Sequence, residues 1–214
     1  MRQTTDDVIG QLVAELEPVA PLNQRSGMGW MLLSLCASVL GVVLFVGPRS
    51  DLLSARPDPV FLIATGLFFV LALASAWSAV DMARPSVGIR RSGWPWAGMM
   101  AAVLPGAALS LIALNLANGR VSGVDGHGWA CTLIGMGIGL LTAATLLFWM
   151  RRGAPSAPHS AALLVGVASG AAGIFAISLC CPENNLIHIG LWHGGAVILT
   201  GIAGRLIFPR LLAW

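Results

Sequence analysis

The sequence predicts an all-α protein: a six-helix transmembrane bundle with a short cytoplasmic N-terminal amphipathic helix. Three observations carry this. Of 214 residues, 57% are hydrophobic and only 10% charged, with mean hydropathy +0.82, whereas soluble domains carry about 25% charged residues. Apolar runs of roughly the 20 residues needed to cross hydrocarbon recur six times, near 29–47, 59–80, 96–117, 128–150, 160–180 and 187–208. The links between them are short and rich in the Gly, Pro, Asn and Asp that end helices. The chain therefore divides into an N-terminal segment, 1–27, and a membrane domain, 28–214.

The N-terminal segment opens with "TTDDVIGQLVAELEPVAPL". Thr residues able to cap are followed by Asp6 and Asp7 in the first turn, where the positive end of the helix dipole favours acids. Val8, Ile9, Leu12, Val13 and Leu16 recur at helical spacing, and Pro18 stops the pattern. Its early carboxylates, and the want of a small-residue cleavage site, argue against a signal peptide. A helix this short is marginal in water and must dock on something. Carboxylates on its polar face would be repelled by anionic headgroups. A protein partner with an apolar groove ringed by basic residues fits Asp6, Asp7, Val8, Leu12, Glu15 and Leu16 better. Docking on the chain's own loops, at Arg90, Arg91, Arg151 and Arg152, is the alternative.

The spans are ordered by their arginines. All twelve basic residues are Arg, Tyr is absent, and most of the eight Trp lie near span ends, where indoles favour the headgroup level. With the N-terminus cytoplasmic, Arg2, Arg25, Arg84, Arg90, Arg91, Arg151, Arg152, Arg205 and Arg210 lie inside, and only Arg49, Arg56 and Arg120 outside. Both termini are then cytoplasmic by the positive-inside rule. A net charge of +3 distributed in this way forms no patch for direct nucleic-acid binding. Pro105, inside the third span, predicts a kink. Gly135–Gly139, Gly166–Gly170 and Gly190–Gly194 have the spacing that lets helices approach closely, which would gather the last three spans into one cluster.

That topology puts Cys131, Cys180 and Cys181 at the outer face. His127 lies four residues before Cys131, on the same helix face, and His188 opens the sixth span. Cys131, Cys181, His127 and His188, with Cys180 as a possible second thiolate, form a soft set suited to zinc or another thiophilic ion. A Cys131–Cys181 disulfide is the rival reading. It would close a loop of about fifty residues, for about 4 kcal/mol by the entropy model. Small buried hydrophobes without a role are the third. Cys36, mid-span, reads as packing. His193, five residues past His188, should lie on another part of the helix surface and hydrogen-bond a neighbour. Glu183, in the loop, could tune a thiol or complete a metal shell.

Residues 166–214, "GVASGAAGIFAISLCCPENNLIHIGLWHGGAVILTGIAGRLIFPRLLAW", with their Cys181-Pro182-Glu183 turn, Trp192 and closing "RLLAW", resemble the C-terminal signature of NrsF-type integral-membrane anti-sigma factors. "LVAELEPVAPL" resembles the same family's cytoplasmic opening. The resemblance implies a bacterial inner-membrane protein that sequesters an extracytoplasmic-function (ECF) sigma factor. It also implies that Cys131 and Cys181 are both required to signal heavy-metal or oxidative stress. Cys180 stands where the family often has His, and His188 where an aromatic is commoner; both departures add soft ligands. The resemblance implies a regulator, not an enzyme. The other reading is a small multi-span transporter or a thiol redox or metal-binding membrane protein. Against a transporter, the spans hold almost no ionisable groups beyond His193 and Arg205.

Overall fold

A computed structural model of the chain describes residues 4–16, 22–84, 94–120 and 126–212. Arg2, Glu17, the helix stop at Pro18, the loop arginines Arg90 and Arg91, and the closing Ala213 and Trp214 lie outside the described residues. The described residues are all-helical. In order they form α1 (Thr5–Ala14), α2 (Gln24–Phe45), the short α3 (Ser50–Leu53), α4 (Pro59–Met82), α5 (Trp94–Ala117), α6 (Gly128–Met150) and α7 (Pro158–Ser178). A sixth long segment follows as α8 (Leu186–His188), a π-helical turn (Ile189–Gly194) and α9 (Gly195–Ile207), before a final short α10 (Pro209–Leu212). Six of these helical segments are long and apolar enough to cross a membrane.

The starts follow local chemistry. α1 begins in a capping box: Asp7 N–H donates to Thr4 Oγ1 (3.3 Å), and Thr4 N–H donates back to the Asp7 carboxylate (3.1 Å). α2 begins five residues before its apolar run because Asn23 Oδ1 accepts from Arg25 N–H. Asp58 caps α4 in the same way, with Pro59 in the first turn. α5 runs through Pro105 as one helix.

α7 is the hub. Across its membrane window 83% of residues are buried, against 17% for α5. Of its 16 buried residues, 11 are Gly, Ala or Ser, and these let backbone meet backbone. A Cβ on Gly139 would strike the Ser169 carbonyl, and one on Gly173 the Gly135 carbonyl, which sets the α6–α7 contact. A Cβ on Gly166 would strike the Thr200 carbonyl, and one on Gly204 the Ala162 carbonyl, which sets α7–α9. The glycine pair of the sixth span departs from the expected clustering. Gly190 and Gly194 lie against Leu104, Ala108 and Pro105 of α5, so the third span is held at the π turn. α2 joins through Ser34, whose hydroxyl donates to Thr142 Oγ1 of α6 (3.2 Å), and through Gly27, pressed on Val80 and the Trp149 ring.

Gly166→Ala should destabilise the bundle by about 1–3 kcal/mol, the usual cost of overpacking, because the new methyl meets α9 backbone. Gly137→Ala, where nothing lies within 4 Å, should be neutral or slightly stabilising. Thermal unfolding of both variants in the same detergent checks the contrast.

Candidate metal-binding site

The sulfurs meet where α6 begins and α7 ends. Cys131 lies in the first turn of α6, and Cys181 lies three residues beyond α7, in the "CPENN" link to α8. Cys131 Sγ donates to Cys181 Sγ at 3.7 Å. That is far from the roughly 2.05 Å of a disulfide, and no disulfide joins the described cysteines. His188 Nε2 also lies 3.7 Å from Cys181 Sγ. His193 completes the group: one ligand atom from each of Cys131, Cys181, His188 and His193 lies within 4.8 Å of the others. These atoms could hold a metal ion. Cys181, His188 and His193 are buried and Cys131 is half-buried.

The structure brings together three of the residues the sequence put forward, adds a fourth, and leaves His127, Cys180 and Glu183 aside. His127 precedes α6 and is exposed, outside the group. Cys180 turns the other way and donates to the Val42 carbonyl of α2 (3.8 Å); burial pushes its thiol pKa up. Glu183 is exposed at the lip of a small cavity beside Cys181 and is not among the converging atoms. Cys36 is exposed on α2.

His193 arrives because of the π turn. In a continuous α-helix, residues five apart sit about 140° apart around the axis. A π turn closes i→i+5 and takes in an extra residue, which brings the second ring round toward the first. The two imidazoles meet edge to face with centroids 5.1 Å apart. A histidine pair spaced by five in an apolar span was the available signal, but only a π turn gives it meaning.

The Cys181 thiol is held well below the ordinary thiol range, first by hydrogen bonding from Cys131 and then by the His188 and His193 rings, against the opposing effect of burial. A second device fixes its loop. Arg49, an outer-loop charge by topology, is buried in the structure. Its Nη1 donates to the Cys181 carbonyl, its Nη2 to Asn184 Oδ1 (2.7 Å), and its Nε and Nη2 to the two Asp51 carboxylate oxygens (2.9 and 2.7 Å). The guanidinium also sits 4.3 Å from the Phe61 ring centroid. Bonding to Arg49 pulls the Asp51 carboxyl from 3.8 down to about 2.

Comparison with known proteins places this geometry among relatives. Residues 12–214 match the family model NrsF, negative regulator of sigma F. The anti-sigma-F factor NrsF of Caulobacter vibrioides (strain NA1000 / CB15N) is 29% identical over 222 residues, covering 98% of this chain and 99% of that protein. The probable anti-sigma-F factor NrsF of Azospira oryzae (strain ATCC BAA-33 / DSM 13638 / PS) is 25% identical over 217 residues, with 98% and 99% covered. No solved structure matches the chain at a significant level.

Arg49→Lys keeps a charge but loses the planar fork that spans Asp51, Asn184 and the Cys181 carbonyl. Alkylation of Cys181 by a small thiol reagent should become several-fold faster in that variant. Asp51 has a depressed folded pKa, so its contribution to the strap is complete above about pH 3.8 and is lost as pH falls toward 2. Cys181 protection in the unsubstituted protein should therefore hold at pH 5, as read by labelling and mass spectrometry.

Proposed function

The chain belongs to the NrsF family of negative regulators of sigma F, and from that premise we propose how it works: it holds an ECF sigma factor at the cytoplasmic face of a bacterial inner membrane and frees it when its outer-face thiols meet a heavy metal or an oxidant. That it is an anti-sigma factor, with a sigma factor as partner and no enzymatic role, follows from the family. The rest is our reading.

The observation that carries the partner side is the state of α1. It is folded and capped, yet none of its residues is buried, and Val8, Ile9, Leu12, Val13 and Leu16 are 39–72% exposed. An apolar edge of this kind, flanked by Asp6, Asp7 and Glu15, supports docking in an apolar groove with basic margins. Burying one leucine contributes about 2 kcal/mol.

On the sensing side, Cys131, Cys181, His188 and His193 would hold a thiophilic ion, and the ion would supply strong attraction for thiolate and imidazole together. An oxidant would instead take two electrons and two protons from Cys131 and Cys181 and leave a disulfide. A disulfide would draw the start of α6 toward the end of α7, and an ion would tie α6, the Cys181 loop and the sixth span together through its ligands. α6 is 23 residues long, about 35 Å at 1.5 Å per residue. Trp149, near its other end, packs on Gly27 at the start of α2, close in sequence to α1. A rigid helix carries a displacement along that length. Moving a population from 1:99 to 99:1 takes about 5.5 kcal/mol of differential affinity, which thiolate coordination can supply.

Leu12→Asp should weaken sigma-factor retention by roughly 30-fold or more, by loss of burial at about 2 kcal/mol plus an unpaired charge. Co-purification in mild detergent with quantitative mass spectrometry reads this, and unchanged retention would count against the docking scheme. Cys131→Ser and Cys181→Ser proteins should keep the sigma factor bound after cadmium or diamide treatment, whereas the unsubstituted protein releases it. An impermeant thiol reagent applied to intact cells should label Cys131, which tests the orientation.

A further inference from the structure

We propose that His188 and His193 make the thiol pair a four-ligand Cys2His2 site for a tetrahedral thiophilic divalent ion, and that this site exists only while Ile189–Gly194 stays in the π register. The inference rests on reading the cluster as the sensing site and specifies its ligands and the element that assembles them.

The tautomer of His193 is set by its neighbour. Ser178 Oγ donates to the Ile174 carbonyl (2.7 Å), so its lone pair is what faces His193 Nδ1, 3.2 Å away. Nδ1 must then carry the proton, and in the neutral ring Nε2 carries a lone pair. His193 is 2% exposed, and its Nε2 lacks a partner in hydrogen-bond geometry, although the ring acts on the Cys181 sulfur. A buried imidazole lone pair without a donor costs free energy, and a cation at the centre of the cluster would satisfy it. A ligating histidine whose other nitrogen donates to a fixed acceptor is the usual arrangement in metal sites.

The spacings agree with one small ion. Two thiolates about 2.3 Å from zinc at the tetrahedral angle lie about 3.8 Å apart, and the sulfurs here are 3.7 Å apart. The Cys181 sulfur to His188 Nε2 separation is also 3.7 Å. Two sulfurs with two imidazoles suit zinc-like ions, not magnesium or calcium.

The register is held from two sides. Thr132, next to Cys131, donates its hydroxyl to the Trp192 carbonyl within the π turn (2.9 Å). Gly190 and Gly194 press on α5 so closely that a Cβ on either would collide with Leu104 or Pro105. Converting the turn to α would rotate His193 away from His188 and remove one ligand.

The test uses the full-length protein in mild detergent, reduced, stripped by chelator and titrated with Co2+ alone. The unsubstituted protein should bind a single Co2+ with the intense visible bands of tetrahedral coordination and near-ultraviolet thiolate charge transfer. His193→Ala should keep thiolate charge transfer and lose the tetrahedral bands. Ser178→Ala, a positioning change, should keep the spectrum and weaken Co2+ binding on the order of 10- to 100-fold. Deleting Leu191 takes the extra residue out of the turn and leaves the histidines four apart, which an α-helix places on one face, so a folded deletion variant should keep the tetrahedral bands without a π turn. Circular dichroism and elution volume confirm that each variant is folded; if the deletion does not fold, the two substitutions decide. A His193→Ala protein with unchanged affinity and spectrum overturns the proposal, as does an octahedral spectrum in the unsubstituted protein. Either result leaves thiol-dependent release of the sigma factor standing. Loss of that release with an intact Co2+ site would instead defeat the functional reading alone.

Discussion

Everything in this bundle depends on backbone-to-backbone contact along α7. In hydrocarbon, helices gain nothing by hiding apolar side chains from one another, so association falls to close packing. Gly166 allows α9 on one side, and Gly173 allows α6 on the other, to approach at carbonyl distance. A contact made by backbone cannot be eased by a rotamer change. α6 and α9 therefore have defined positions against α7.

The site sits where that rigidity ends. Ser178 is the last residue of α7, and Cys181 leaves it after a single loose turn. Cys131 belongs to α6, and the two histidines flank or occupy the π turn. Four ligand atoms thus report the relative placement of three elements. Arg49 ties the Cys181 loop to the α2–α4 connection and keeps a positive charge near a sulfur whose thiolate form is favoured. Burial alone would have pushed that thiol the other way.

Hydropathy made the spans legible, because length and composition suffice to name a membrane helix. The meeting of Cys131 with Cys181 was also readable, since alternating topology puts the start of the fourth span beside the end of the fifth. His193 was not readable as a ligand. Its spacing from His188 says "different face" under α-helical geometry, and no local residue pattern announces a π turn. Arg49 entered as a topological charge, whereas its burial and its bonds to the Cys181 carbonyl and Asn184 are tertiary facts. His127 had the right spacing to Cys131, but as the N-cap of α6 it stands one turn beyond that residue and is exposed, outside the group of converging atoms. Gly190 and Gly194 had the expected spacing and a different partner: spacing shows that a helix can approach another, not which one.

Under this scheme coupling runs in both directions. If occupation of the thiol–imidazole site changes sigma-factor affinity by some factor, linkage requires the bound sigma factor to change the site's ligand affinity by the same factor. A sigma-loaded protein would then be the less sensitive detector, and an emptied one would hold its ion more tightly. The bundle can behave this way because its elements have few intermediate packings. The α6–α7 contact is backbone on backbone, and the π turn is held between Thr132 and α5. A soft, side-chain-packed interface would spread a small displacement over many rotamers and lose it before it reached Gly27.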